Sequence, residues 1–167
     1  AGGRGDVTHV FSAAYLQDAD PARLVSRNTA LLVNLVNTVE AASPALEHVN
    51  LVEGTKWYGS HLGPFTTPAR ERHPRHAGAN FYFDQQDWLE AAQNGKAWTW
   101  SAARPHAVCG FSLGSPMNLV MVLATYAAVC RELGLPFSHP GAPANWTALY
   151  QLTDAALLGR AMIWMAT

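Results

Sequence analysis

Three short apolar runs, each followed by a stretch with helical spacing, constrain this chain more than any other feature. They are "VTHVFSAAY" (Val7 to Tyr15), "LEHVNLVEG" (Leu46 to Gly54) and "AWTWSAARP" (Ala97 to Pro105), rich in β-formers and small residues. The second alternates and stops at a Gly, and the third runs into a Pro. After the first run, Leu24, Leu31, Leu32, Leu35, Val36 and Val39 recur at a spacing that gives a helix one buried face, which Pro44 ends. After the second, Asn80 to Asn94 reads as a helix closed by Asn94-Gly95. After the third, Met117 to Gly134 reads as the strongest helix of the chain. That order is the order of a parallel α/β sheet with right-handed crossovers.

"LPFSHPG" (Leu135 to Gly141) reads as a short fourth strand, and "TDAALLGRAMIWMAT" as a last helix capped by Thr153 or Asp154. Trp98 and Trp100 alternate on the third strand and should share a face. The helix from Met117 is apolar nearly all round, which implies burial or a subunit contact. With no internal repeat and no linker, residues 1–167 read as a single domain.

Composition narrows the function classes. The 167 residues are 49% hydrophobic and 14% charged, a globular profile long enough for a core. A formal net charge of -1 gives no electrostatic reason to expect nucleic acid or an anionic membrane surface. No apolar run approaches the roughly 20 residues that span a bilayer, and "AGGRGDV" has neither the basic nor the apolar part of a signal peptide. Cys109 and Cys130 are too few for a disulfide scaffold and read as reduced thiols of a cytoplasmic protein. On that reading the sequon "NWT" (Asn145 to Thr147) and the tripeptide "RGD" (Arg4 to Asp6) are chance matches. Met does not begin the chain.

Ligands of such sheets bind outside the carboxyl ends of the strands. Here that places Ala14-Tyr15, Gly54 to Tyr58 and Arg104 to Phe111 at the crevice. The loop from Gly59 to Gly78 is longer than an ordinary connection and suggests a functional loop or lid. Lys56, just past the second strand, could hold a ribose and lower the pKa of a neighbouring phenol; a solvated loop lysine is the commoner outcome for such a position. His61, His73 and His76 share the long loop but lack the compact ligand spacing of a zinc site, so no metal is expected.

"GTKWYGSHLGP" (Gly54 to Pro64), "NFYFDQQDWL" (Asn80 to Leu89) and "WSAARPHAVCGFSLGSPMNL" (Trp100 to Leu119) resemble, in order, the motifs TGxKHYxGP, NFYYxxED and WSxxRPxxIxGF…MN. These belong to the progesterone 5β-reductase/iridoid synthase-like group of atypical extended short-chain dehydrogenases/reductases. The likeness runs over nearly the whole chain, from "DVTHVF" to "WMAT". It implies a catalytic pair in Tyr82 and Lys56, the lysine coming from the strand end because the position four after Tyr82 is Gln86. The group's second tyrosine is Phe83 here, its Glu-Asp pair is Gln86-Asp87, and its His-Tyr after lysine is Trp57-Tyr58. The resemblance implies NADPH-dependent reduction of an enone, with NADH as the other cofactor. It places Ala14, Tyr15, Thr55, Pro105, His106 and Val108 near that cofactor, Met117-Asn118 as cap of the long helix, and a small hydrophobic enone as substrate.

No GxGxxG occurs, and "GFSLGSP" (Gly110 to Pro116) has the wrong spacing and follows the third strand. By the resemblance, the opening strand corresponds to about the fourth of the full fold. The expected fold class is therefore an α/β, partial Rossmann-like parallel sheet with flanking helices and its first βαβαβ half missing. Two further readings stand beside the reductase: a non-catalytic remnant that binds a ligand or protein, and an NAD-dependent sugar-nucleotide epimerase or dehydratase. A bared sheet edge would favour homo-oligomers.

Overall fold

The computed structural model describes residues 5–114, 118–138 and 141–167; Met117, His139 and Pro140, which enter three of the expectations above, lie outside them. Contacts group these residues into two compact units, one running to Pro105 and including Ala161–Thr167, the other His106–Arg160.

The first unit holds three parallel strands, β1 (His9–Ser12), β2 (His48–Val52) and β3 (Thr99–Ala103), in the order β1-β2-β3. Each is shorter than its apolar run, because the flanking residues turn out into the loops that carry the site. The register sets Val10, Val49 and Trp100 in one row, and Ser12, Leu51 and Ala102 two residues on. Residues two apart share a face, so the alternation in β2 is real: Val49 and Leu51 face one side, His48 and Asn50 the other. Both sides of β2 are nevertheless buried. His48 is satisfied by Thr99 Oγ1 and Ser101 Oγ, each at 2.8 Å, and Asn50 donates to Ser101 Oγ at 2.7 Å.

Two helices cover the apolar face. α1 (Pro21–Ala42) starts where the Asp20 carboxylate accepts from the Ala22 and Arg23 amides, with Pro at its first position. α2 (Phe81–Gln93) packs against α1. The core joins Val10, Val49, Leu51 and Trp98 to Leu32 and Val36 of α1 and Leu89 of α2, with Trp100 packed on it, so Trp98 and Trp100 do share a face. Each fully buried aliphatic side chain here contributes roughly 1.5–3 kcal/mol.

A buried polar clamp fixes the loop after β1. The Asn28 amide, wholly buried in α1, accepts from the Leu16 N–H and donates to the Leu16 carbonyl, both at 2.8 Å. Gln85 of α2 donates to the Asn28 carbonyl at 2.8 Å. One side chain and its own backbone thus hold the end of β1 and the first half of α2 in register.

In the second unit, β4 (Val108–Cys109) pairs in parallel with β5 (Thr153–Asp154). α3 (Leu119–Glu132) is capped by Asn118, which accepts from the Met121 amide, and ends before Gly134 at φ 63°. A short α4 (Pro143–Thr147) and the start of α5 (Ala155–Met165) follow, the helix's residues from Ala161 grouping with the first unit. Asp154, not Thr153, caps α5 by accepting from the Leu157 amide at 2.7 Å; Thr153 lies in β5 and exchanges hydrogen bonds with the His106 backbone.

One expectation fails in this unit. Leu135–Ser138 forms no strand: Pro136 removes a ladder donor, and Tyr126 ties the segment to α3 by donating to the Ser138 carbonyl and packing on Phe137. Of the two readings of α3, burial or a subunit contact, burial within the described chain is not found, since Val120, Met121, Val122, Leu123 and Val129 are all exposed. Among the described residues no helix is long and apolar enough to cross a membrane.

Candidate active site

Tyr82 is the second residue of α2, and its Oη lies close to Gly54, after β2. A Cβ built on Gly54 would stand 3.1 Å from Tyr82 Oη and 3.6 Å from the Pro105 carbonyl oxygen. Gly54 has an extended backbone, φ -169°, so the requirement there is for space. From the end of β1, the Tyr15 ring packs on Phe81 at 5.7 Å, and Phe81 on Tyr82 at 4.2 Å. Gly54→Ala should therefore lower turnover on the order of tenfold by displacing the hydroxyl, with the denaturation midpoint little changed; steady-state rates beside a urea curve check it.

Asn80 connects Tyr82 to the strand end. Its Oδ1 accepts from the Tyr82 amide at 3.1 Å, capping α2, while its Nδ2 donates to the Lys56 carbonyl at 2.8 Å and meets His76 Nε2 at 3.1 Å. Lys56 sits in the single 3-10 turn Thr55–Tyr58, which closes on Gly59 in the left-handed region at φ 85°. The backbone of Lys56 is thus held beside the start of α2, while its side chain is exposed and forms no ion pair among the described residues. Asn80→Ala removes the cap and the tether together and should cost about 1–2 kcal/mol, read as a lowered denaturant midpoint.

The electrostatics run against one expectation. The Tyr82 phenol is pushed up to about 12, first by burial, then by the negative charge of Glu53 and by the Tyr15 phenol. Burial and a nearby carboxylate favour the neutral form, and they outweigh any lowering by the exposed Lys56 ammonium. Tyr82 in this state is a firmly protonated donor.

Glu53 belongs to a buried pair that the sequence reading did not single out. Glu53 accepts from Arg104 Nε at 2.6 Å, with side chains 0% and 15% exposed. Arg104 also donates to Tyr58 Oη at 3.2 Å and Gln86 Oε1 at 2.9 Å, and its guanidinium lies 3.8 Å over the Trp57 ring. Trp57 Nε1 donates to the same Gln86 oxygen at 3.1 Å. Burial dominates over the ion pair on Glu53 and raises its carboxyl pKa, while the Arg104 pKa is also raised: burial, its largest influence, lowers it, but its bonds to Glu53 and Tyr58 outweigh that. Gln86, where a lysine was missed, is here the acceptor that seats Arg104 on Trp57.

The long loop folds back on α2. Arg75 pairs with both oxygens of Asp87 at 2.6 and 2.8 Å and lies 4.9 Å from the Phe83 ring. Half-exposed, this pair contributes about 0.2–1 kcal/mol, so ring contacts such as His76 on Phe83 and Phe65 on Tyr58 matter as much. Phe83 is buried at 8% exposure, edge-on to Trp57. Among the described residues no group of three His, Cys, Asp or Glu could hold a metal ion.

Of the remaining candidates, Ala14 is exposed beside Tyr15, and Thr55 accepts from Ser60 Oγ at 3.1 Å. His106 and Val108 fall in the second unit, where His106 packs on Tyr150 and Val108 lies in β4.

Comparison with known proteins gives this geometry its family. The family model described as a PRISE-like Rossmann-fold domain matches residues 4–166. The chain belongs to that family. Among its relatives, the "Short chain dehydrogenase gsfE" of Penicillium aethiopicum is 37% identical over 98% of this chain and 44% of its own length. The "3-oxo-Delta(4,5)-steroid 5-beta-reductase" of Arabidopsis thaliana is 36% identical over 96% of this chain and 43% of its own. The "(S)-8-oxocitronellyl enol synthase" of Antirrhinum majus is 32% identical over 97% and 43%. The chain thus spans less than half the length of these PRISE-family relatives. A solved UDP-N-acetylglucosamine 4-epimerase from Methanobrevibacter ruminantium M1 superposes with a TM-score of 0.70 at 17% identity, covering 97% of this chain and 52% of that one, which establishes the Rossmann-like fold alone.

Proposed function

We propose that the protein is an NADPH-dependent reductase of activated carbon–carbon double bonds, acting on small hydrophobic enones. One observation carries the reading: a half-buried phenol just past the carboxyl end of β2, beside a glycine that leaves room at its hydroxyl. The names of the relatives, a steroid 5-beta-reductase among them, support the same reaction class.

The strand-end residues fit the reactive end of a nicotinamide cofactor, since Gly54 keeps the approach to Tyr82 free of a side chain. A nicotinamide bound there supplies a hydride to the β-carbon of the enone. As that bond forms, the π electrons move onto the carbonyl oxygen. Tyr82 donates a hydrogen bond to this oxygen, stabilising the charge that develops on it. The enolate then takes a proton from solvent water at its α-carbon and becomes the saturated ketone, leaving Tyr82 protonated. Lys56, exposed and anchored through its carbonyl, would hold ribose hydroxyls with its ammonium. The Phe81 and Tyr15 rings keep water from one side of the phenol.

The test is a fluorescence titration with NADPH, followed by NADPH oxidation with and without a cyclic enone, on protein made from the native reading frame. Saturable binding with enone-dependent oxidation is expected. Binding with no oxidation across a panel of cyclic and linear enones would overturn the reading.

A further inference from the structure

The Asn80 amide is bonded more fully than a helix cap requires. Its Oδ1 faces the Tyr82 N–H, which can only donate, and its Nδ2 faces the Lys56 carbonyl, which can only accept. These two backbone partners fix which end of the amide is oxygen and which is nitrogen. The remaining hydrogen of Nδ2 has its partner in His76 Nε2, 3.1 Å away. An amide nitrogen only donates, so His76 Nε2 accepts, and the ring carries its proton on Nδ1. That proton also has a partner, because Nδ1 stands 2.7 Å from the Ala77 carbonyl oxygen. Every donor and acceptor from Ala77 through His76 and Asn80 to Lys56 and Tyr82 is thereby assigned, and the assignment requires a neutral imidazole. A proton on Nε2 would set donor against donor.

His76 also closes the long loop on its own start. A Cβ built on Gly59 would stand 3.3 Å from His76 Cβ, and the His76 ring lies 5.2 Å from the His61 ring and 5.0 Å from Phe83 of α2. The titratable and charged groups that face it are His61 from the start of the loop, Lys56 from the 3-10 turn and, from α2, Asp87 through its pair with Arg75. Among the described residues no carboxylate forms an ion pair with His76, so nothing there rewards a charge on the ring.

We propose that His76 is a positioning residue for the reaction: as a neutral imidazole protonated on Nδ1 it accepts from Asn80 and completes the clamp between the Lys56 turn and the start of α2, and protonation of its Nε2 opens that clamp. The site is then closed where the ring is neutral and loosens as acid charges it. The clamp stands on the hydrogen bonds alone; its bearing on turnover rests on the proposed roles of Tyr82 and Lys56.

The first experiment is nitrogen-15 NMR of the full chain, with His76→Gln assigning the ring. At neutral pH the His76 proton is expected on Nδ1. On acidification the Asn80 side-chain amide and the Tyr82 backbone amide should shift in step with the His76 ring, and both steps should vanish in His76→Gln. The second experiment is enone turnover against pH. His76→Leu, which removes the acceptor, is expected to lower kcat on the order of tenfold. His76→Gln, whose Oε1 replaces the Nε2 acceptor, should recover most of that loss and lack the acid limb that tracks the His76 ring in the parent. Lost folding would lower kcat without moving that limb, and urea midpoints mark it; if His76→Leu does not fold, the His76→Gln profile carries the test. A ring with its proton on Nε2 at neutral pH, or Asn80 and Tyr82 signals that ignore the ring, overturns the clamp. An acid limb unchanged in His76→Gln, or full turnover in a folded His76→Leu, overturns its place in the reaction and leaves Tyr82 as assigned. A parent that binds NADPH and turns over no enone overturns the proposed function instead, and the NMR result still decides the clamp.

Discussion

Tyr82→Phe is expected to turn enone over about 10²–10³-fold more slowly than the parent, with NADPH affinity unchanged. The magnitude is that of removing one preorganised donor from a developing oxyanion. The structure gives reasons for both halves of this result. The hydroxyl sits beside Gly54, just past β2, and is held protonated chiefly by burial. The ring packs on Phe81, and Phe keeps that contact, so the crevice wall survives. Loss should appear in kcat and kcat/KM alike, the pattern of an interaction made in the transition state. Fluorescence titration of parent and variant with NADPH checks the unchanged affinity.

Arg104→Met is expected to lower stability by about 3–5 kcal/mol near neutral pH, the cost of leaving a buried charge without its partner. Glu53 is fully buried, and Arg104 is the cation bonded to it at 2.6 Å. The pH dependence has a definite sign. Burial raises the Glu53 pKa in the folded protein, so the folded state holds that proton more tightly than the unfolded state. In the variant, with Arg104 gone, stability is greatest below the ordinary carboxylate range of about 4.3. It falls as pH rises from there through the raised folded-state value. Urea midpoints of parent and variant across that window check this: the gap should narrow on acidification. A gap independent of pH would assign the loss to the Trp57, Tyr58 and Gln86 contacts of Arg104 instead.

What the sequence makes legible here follows from interaction range. The three strands and the two helices of the first unit are set by local periodicity, and Asn80 before "FYF" is a local cap signal that fixes Tyr82 at the start of α2. That Tyr15, Gly54 and Pro105 lie just past the carboxyl ends of the strands was legible from the general rule for ligand loops of parallel sheets. The Glu53–Arg104 pair is different. Each residue looks like an isolated charge ending an apolar run, and only the β2–β3 register brings them opposite each other. The upward push on Tyr82 was hidden for the same reason, since it depends on which charge is buried nearby and which, like that of Lys56, points to solvent.

The second unit was the harder one to read. Its strands β4 and β5 are two residues each, too short for any alternation to register. The apolar composition of α3 suggested burial or a subunit contact, and within the described chain Cys130 alone of its residues is buried. Composition reports how much apolar surface a helix has; what covers it depends on tertiary neighbours. Leu135–Ser138 has apolar character, but Pro136 removes a donor that a ladder needs.

The most direct test of the account is to follow the hydride itself. Protein from the native reading frame is given NADPH deuterated at the transferring position and a cyclic enone, and the product is examined by NMR. The expected product is the saturated ketone with deuterium on its β-carbon. Deuterium on the carbonyl carbon of an allylic alcohol would contradict the account, because Tyr82 would then serve carbonyl reduction and not reduction of the double bond.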